Sequence, residues 1–120
     1  MKVTIPDPCP LNQQTFEDGG QRWFVSRLTE KAKDLPVQEM PITALNIYNL
    51  FPKVNSMRNF VGHIRKVQEA DLSYPIILDD EGYCMDGRHR IAKALLEGRE
   101  TIKFVRFEVT PGPDYVEKER

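Results

Sequence analysis

The run from Pro75 to Val109 constrains the fold more than any other part of the chain. Pro75-Ile76-Ile77-Leu78 is a short apolar segment with proline first, where a strand can do without an N–H donor. Asp79-Asp80-Glu81-Gly82 has the composition of a hairpin turn, with glycine at the position that needs positive φ. Tyr83-Cys84-Met85 reads as the return strand. An Asp86-Gly87 turn then opens a helix to about Leu96, and Gly98 follows as its C′ residue. Ile91, Ala92, Ala94 and Leu95 form its inner face, and Lys93 and Glu97 an exposed i, i+4 pair. Thr101 to Val109 is nearly continuously apolar and suits a strand inside a sheet. The implied class is α/β, a small mixed β-sheet flanked by helices.

The preceding chain divides less sharply. Residues 1–35 read as an N-terminal arm and a helix. Pro6, Pro8, Pro10, Gly19 and Gly20 make the arm extended. Phe24, Leu28, Ala32 and Leu35 predict a helix over Gln21–Leu35, stopped by Pro36, with Trp23-Phe24-Val25 as a short strand the alternative. Trp23 is expected to anchor the arm or core. Val37–Ile42 suits an edge strand, because Pro41 cannot donate to a ladder. Thr43–Asn55 is too apolar for a free loop. Ser56 caps a helix running to about Ala70, with Met57, Phe60, Val61, Ile64 and Val67 as its apolar stripe. Arg58, Arg65, Lys66 and Glu69 lie on its other side, as a solvated face or as a basic ridge able to follow a nucleic-acid backbone. His63 falls off the stripe and is expected at the surface. Residues 36–109 form the main domain. Residues 110–120, after Pro111-Gly112-Pro113, read as a flexible charged tail.

Composition excludes several classes. A net charge of −1 leaves no bulk cationic field, so any nucleic-acid contact must be local. Cys9 and Cys84 form no CxxC pair, which argues against a disulfide scaffold or zinc site. No apolar run reaches membrane-spanning length and no signal peptide is evident, so a cytoplasmic protein without membrane partners is expected. The carboxylates of Asp79, Asp80 and Glu81 could be read as a magnesium site, but the turn reading is favoured.

The chemistry concentrates at Asp86-Gly87-Arg88-His89-Arg90. Asp86 stands where an N-cap belongs, with its carboxylate in reach of the N–H of Arg88 or His89. Gly87 permits a sharp turn and close ligand approach. The free N–H groups of a helix start, with its dipole, attract an anion. Arg88, His89 and Arg90 would add charge and directional donors. Cations at a helix N-terminus are unfavourable unless an anion answers them, so this turn is expected to bind phosphate. His89 can also serve as acid or base near neutral pH.

Asp86, Gly87, His89 and Arg90, with Ala92 and Ala94 behind them and a hairpin before them, resemble the motif of the ParB/sulfiredoxin superfamily. The resemblance covers about residues 36–109. It implies a ParB/sulfiredoxin-like fold whose Asp86, Gly87, Arg88, His89 and Arg90 cradle the phosphates of ATP or CTP with Mg²⁺. Sulfiredoxins carry a catalytic cysteine where this chain has Arg88, so reductase activity is not expected. No helix-turn-helix follows residue 109, so partition-site recognition is not expected either. Small members of the superfamily are linked to nucleotide hydrolysis and DNA cleavage. The leading expectation is thus a nucleotide-binding protein that hydrolyses its ligand or cleaves DNA, with Asp86 and His89 as catalytic candidates and Asp86 helping to place a metal-bound water. One alternative is a non-enzymatic DNA-binding or regulatory module using Arg58, Arg65 and Lys66. The other is a serine-type kinase with Glu39 as base. Any metal site on the protein and the oligomeric state stay open.

Overall fold

In the computed structural model, residues 2–5, 13–47 and 50–118 are described. The elements run β1 (Thr15–Asp18), β2 (Gln21–Phe24), α1 (Val25–Ala32), β3 (Gln38–Pro41), a 3-10 turn (Ile42–Ala44), α2 (Met57–Glu69), β4 (Ile76–Leu78), β5 (Cys84–Asp86), α3 (Arg88–Leu96), β6 (Thr101–Arg106) and β7 (Tyr115–Val116). Among the described residues the fold is mixed α/β with three α-helices and two sheets. Among the described residues, no helix is long and apolar enough to cross a membrane.

The main sheet has the order β3-β6-β4-β5. Only the β4–β6 pair is parallel, with α3 in the connection between them. β4, wholly apolar and buried, and β6 lie inside, and β3 takes the edge where Pro41 is tolerated. Side chains alternate between the two faces. Ile76, Leu78, Cys84 and Ile102 pack with Ile91 and Ala94 of α3. Ile77, Met85 and Val105 pack with Leu28 and Ala32 of α1. Leu28, Ile76 and Leu78 are at most 1% exposed, and burying each contributes roughly 1.5–3 kcal/mol.

Local signals set most boundaries. The Ser56 hydroxyl accepts from the Asn59 N–H, so α2 begins where the sequence predicts. The Asp79 carboxylate accepts from the N–H groups of Glu81 and Tyr83, so it holds its own turn together. At the end of α3, Arg99 N–H bonds the Ala94 carbonyl and Gly98 N–H bonds that of Leu95, with Gly98 at φ 70°. This is a Schellman closure.

Four expectations are corrected. The helix expected from Gln21 begins only at Val25, because Gly19 and Gly20, both at positive φ, close a two-residue hairpin and commit Gln21–Phe24 to a strand. The tail is not free over its first part: β7 pairs with β2, completing a second sheet of order β1-β2-β7. The Asp114 carboxylate accepts from Phe24 N–H and pairs with Arg27, and Trp23 Nε1–H donates to the Pro111 carbonyl. Lys93 does not pair with Glu97. Its ammonium donates to the carbonyls of Gln68 and Ala70, while Glu97 pairs with Arg99. Finally, the apolar stripe of α2 buries no residue: Met57, Phe60 and Ile64 are exposed. Cys9 and residues 119–120 of the expected tail lie outside the described residues.

Candidate functional site

The site is built where β5 hands over to α3. β4 and β5 pair with a register shift: Ile77 faces Asp86 and Leu78 faces Cys84, so Met85 is one residue extra. Such a bulge bends the strand and re-aims the residues after it. Gly87 then turns at φ 114° directly against Ile76. The first intrahelical bond of α3 runs from Ile91 N–H to the Gly87 carbonyl. The N–H groups of Arg88, His89 and Arg90 precede it, and no side chain caps this end.

Asp86 is therefore not the cap it was expected to be. Its carboxylate accepts instead from the Arg90 guanidinium at 2.8 Å, an i, i+4 pair with both side chains mostly buried. Arg90 also donates to the Pro75 carbonyl at 2.8 Å. Both groups are engaged in holding β5, α3 and the entry to β4 together. The pairing turns Asp86 Oδ2 and two Arg90 guanidinium nitrogens toward the protein itself. Arg88 is exposed and has no hydrogen-bond or ion-pair partner among the described residues.

His89 differs from expectation too. Its Nε2 lies 2.9 Å from Nδ1 of His63 on α2. Burial, then Lys66, His63, Arg88 and Arg90, hold its pKa down to about 4. At neutral pH it is an uncharged ring, not a third cation. His63 is also pushed below the ordinary histidine range, by burial and then by Lys66 and Arg88.

His63, expected at the surface, belongs to this site, and Lys66 lies apart from the expected ridge. Asn59, His63 and Lys66 recur at i, i+4 and i+7, so they share one side of α2. Through His63 that side meets the start of α3, and the Lys66 charge acts on His89 there. Asn59 Oδ1 is buried without a partner among the described residues. The i, i+4, i+7 polar spacing was the available signal.

Arg58, Arg65 and Lys66 do not form one ridge. Arg58 and Arg65, seven apart, share another side of α2, and Arg58 donates to the Thr4 carbonyl of the arm. Lys66 faces the histidine pair. Glu39 lies on the edge strand β3, three strands from β5, or about 14 Å at ordinary strand spacing. Cys84 is buried, and burial followed by Asp86 pushes its thiol up to about 12, so it is no nucleophile at neutral pH.

The arrangement left is an uncapped helix start with a neutral histidine pair and two cations, Arg88 and Lys66, that have no ion-pair partner among the described residues. No family model, curated protein or solved structure matches this chain.

Proposed function

We propose that the protein binds a phosphate-bearing ligand, a nucleotide such as ATP or CTP, at the start of α3. One observation carries this reading: α3 has no side-chain cap at its N-terminus, yet Arg88 and Lys66 place two positive charges beside it. An anion answers both the uncapped N–H groups and the cations. Mg²⁺, in this reading, arrives bound to the nucleotide's phosphates. The ParB/sulfiredoxin resemblance of residues 36–109 supports the same ligand class.

If phosphate is hydrolysed or DNA is cleaved, the proton-accepting role falls to His89. The Asp86 carboxylate is engaged by Arg90, whereas a neutral imidazole can take a proton from an attacking water. The kinase reading is weaker, since Glu39 stands too far across the sheet to touch a phosphate held at Gly87. The DNA-binding reading is weaker because its three cations divide between two sides of α2.

Isothermal titration with ATP, CTP and GTP plus Mg²⁺ tests the proposal. At least one nucleotide should bind, and Arg88→Ala and Lys66→Ala should each weaken it about tenfold or more, the worth of a charge-assisted hydrogen bond. Absence of binding by all three, or unchanged affinity in both variants, would overturn it.

A further inference from the structure

His63 and His89 share a hydrogen bond with an unusual geometry. Their ring planes differ by 12° and their centroids stand 5.2 Å apart. That separation is what the 2.9 Å N···N distance and two imidazole radii make when laid end to end. The rings therefore meet edge to edge in nearly one plane, not face over face. Each facing nitrogen points its proton or lone pair straight at the other, which leaves no room for a metal ion between them.

One proton fits in the shared position, and a second would set two N–H groups head-on. The Lys53 backbone also acts on His63, in the direction that favours a ring proton. A neutral His63 has a single N–H; with that proton on Nε2, toward Lys53, its Nδ1 accepts. His89 then donates from Nε2, and its own Nδ1 is left bare. The charged groups acting on the pair are Lys66 from α2 and Arg88 and Arg90 from α3, all cationic. The Asp86 carboxylate is engaged by Arg90. Apart from the Lys53 backbone beside His63, the charged groups acting on the pair oppose a further proton.

We propose that the pair makes ligand binding proton-linked: when a fully ionised tetrahedral oxyanion occupies the start of α3, His63 and His89 together take up one proton. This rests on the anion-site reading above and adds its regulation. Before binding, the pair holds two ring protons, one on Nε2 of each residue. After binding it holds three, the new one on Nδ1 of His89 and drawn from solvent. The oxyanion keeps its oxygens and forms no covalent bond. Its negative charge offsets the repulsion from Lys66 and Arg88 that otherwise keeps the pair neutral. The shared hydrogen bond caps the uptake at one. The ligands favoured are a phosphate monoester dianion or the terminal phosphate of a nucleotide, bound more tightly as pH falls from 8 toward 6.

Sulfate is the suitable probe, since it carries two charges and does not titrate near neutrality. Calorimetry in two buffers of different ionisation heat counts protons taken up per ion bound. The full chain should take up close to one proton per sulfate at the lower end of that range, and affinity should rise by up to about tenfold per pH unit. His89→Gln should still bind sulfate, more weakly, with no uptake. Imidazole ¹⁵N spectra of the unsubstituted protein give a second readout: on saturation with sulfate, Nδ1 of His89 should change from unprotonated to protonated while His63 keeps its proton. Sulfate binding without uptake, or a His89 Nδ1 signal that does not move, overturns the linkage and leaves the anion site standing. No sulfate binding at any pH from 5.5 to 8 overturns the anion site and the linkage together.

Discussion

Gly87 lies so close to Ile76 that a Cβ at position 87 would stand 2.5 Å from Cγ2 and 2.9 Å from Cβ of that residue. Ile76 is fully buried and cannot move aside, and φ at Gly87 is 114°. Gly87→Ala should thus meet both backbone strain and overpacking, together about 2–5 kcal/mol. Urea denaturation of the purified variant checks this. A loss under about 1 kcal/mol would mean the turn can be rebuilt without glycine.

Arg88 and Arg90 are two residues apart and should respond in opposite ways. Arg90→Ala leaves Asp86 and the Pro75 carbonyl without their donor in a mostly buried place, so stability should fall by about 1–3 kcal/mol. Arg88→Ala removes an exposed, unpaired cation and should leave the melting temperature unchanged or slightly raised while nucleotide affinity drops. Thermal unfolding of both variants, with and without nucleotide, separates structural from ligand-facing arginine.

The histidine pair predicts how stability follows acidity. His89 is held near 4 in the fold, whereas an unfolded chain returns it to about 6.5. Between those values the unfolded chain binds more protons, so stability is fully present above about pH 6.5 and is lost as pH falls toward 4. Chemical denaturation at pH 7.5, 5.5 and 4.5 should show that loss. Its slope should be shallower in His89→Gln, since carboxylates elsewhere titrate in both proteins alike.

Asn59 offers a separate contrast. A buried amide oxygen without a partner costs free energy that an apolar residue would not. Asn59→Leu should therefore raise stability or leave it unchanged. If the site uses that oxygen to accept from a ligand N–H, nucleotide affinity should fall at the same time, which calorimetry beside thermal unfolding would reveal.

Asp114 ties the last strand to the first hairpin. Its side chain is 5% exposed, pairs with Arg27 and accepts from Phe24 N–H. Asp114→Ala should cost about 1–3 kcal/mol and release β7. Loosening the Pro111 contact should also shift Trp23 fluorescence to longer wavelength. An unchanged spectrum would show that the tail is held without Asp114.

Elements marked by short-range chemistry were legible in the chain. Ser56 at its cap, Gly98 past its helix, Pro41 on its edge and the Asp79–Gly82 turn each act within a few residues. The β1–β2 hairpin was equally marked by Asp18-Gly19-Gly20, but the apolar spacing of Phe24, Leu28 and Ala32 pulled its second strand into the helix. β7 could not be read, because two residues carry no periodicity and Asp114 finds its partners about 90 positions away. At the site, the i, i+4 spacing of Asp86 and Arg90 already implied that they answer each other. The approach of His63 to His89 depends on how α2 docks, which no local pattern encodes.

That docking has a mechanical meaning. α1 and α3 are set into the sheet by buried apolar side chains, while α2 buries none. It is moored to α3 at two named places, the Lys93 ammonium on its C-terminal carbonyls and the histidine pair near its middle. A helix moored by polar contacts can swing without dismantling the core. The amides of α2 should therefore exchange hydrogen faster than those of β4 and β6. An anion bridging Lys66 and Arg88 would add a third mooring line, turning α2 from the loosest helix into a latch over its own ligand.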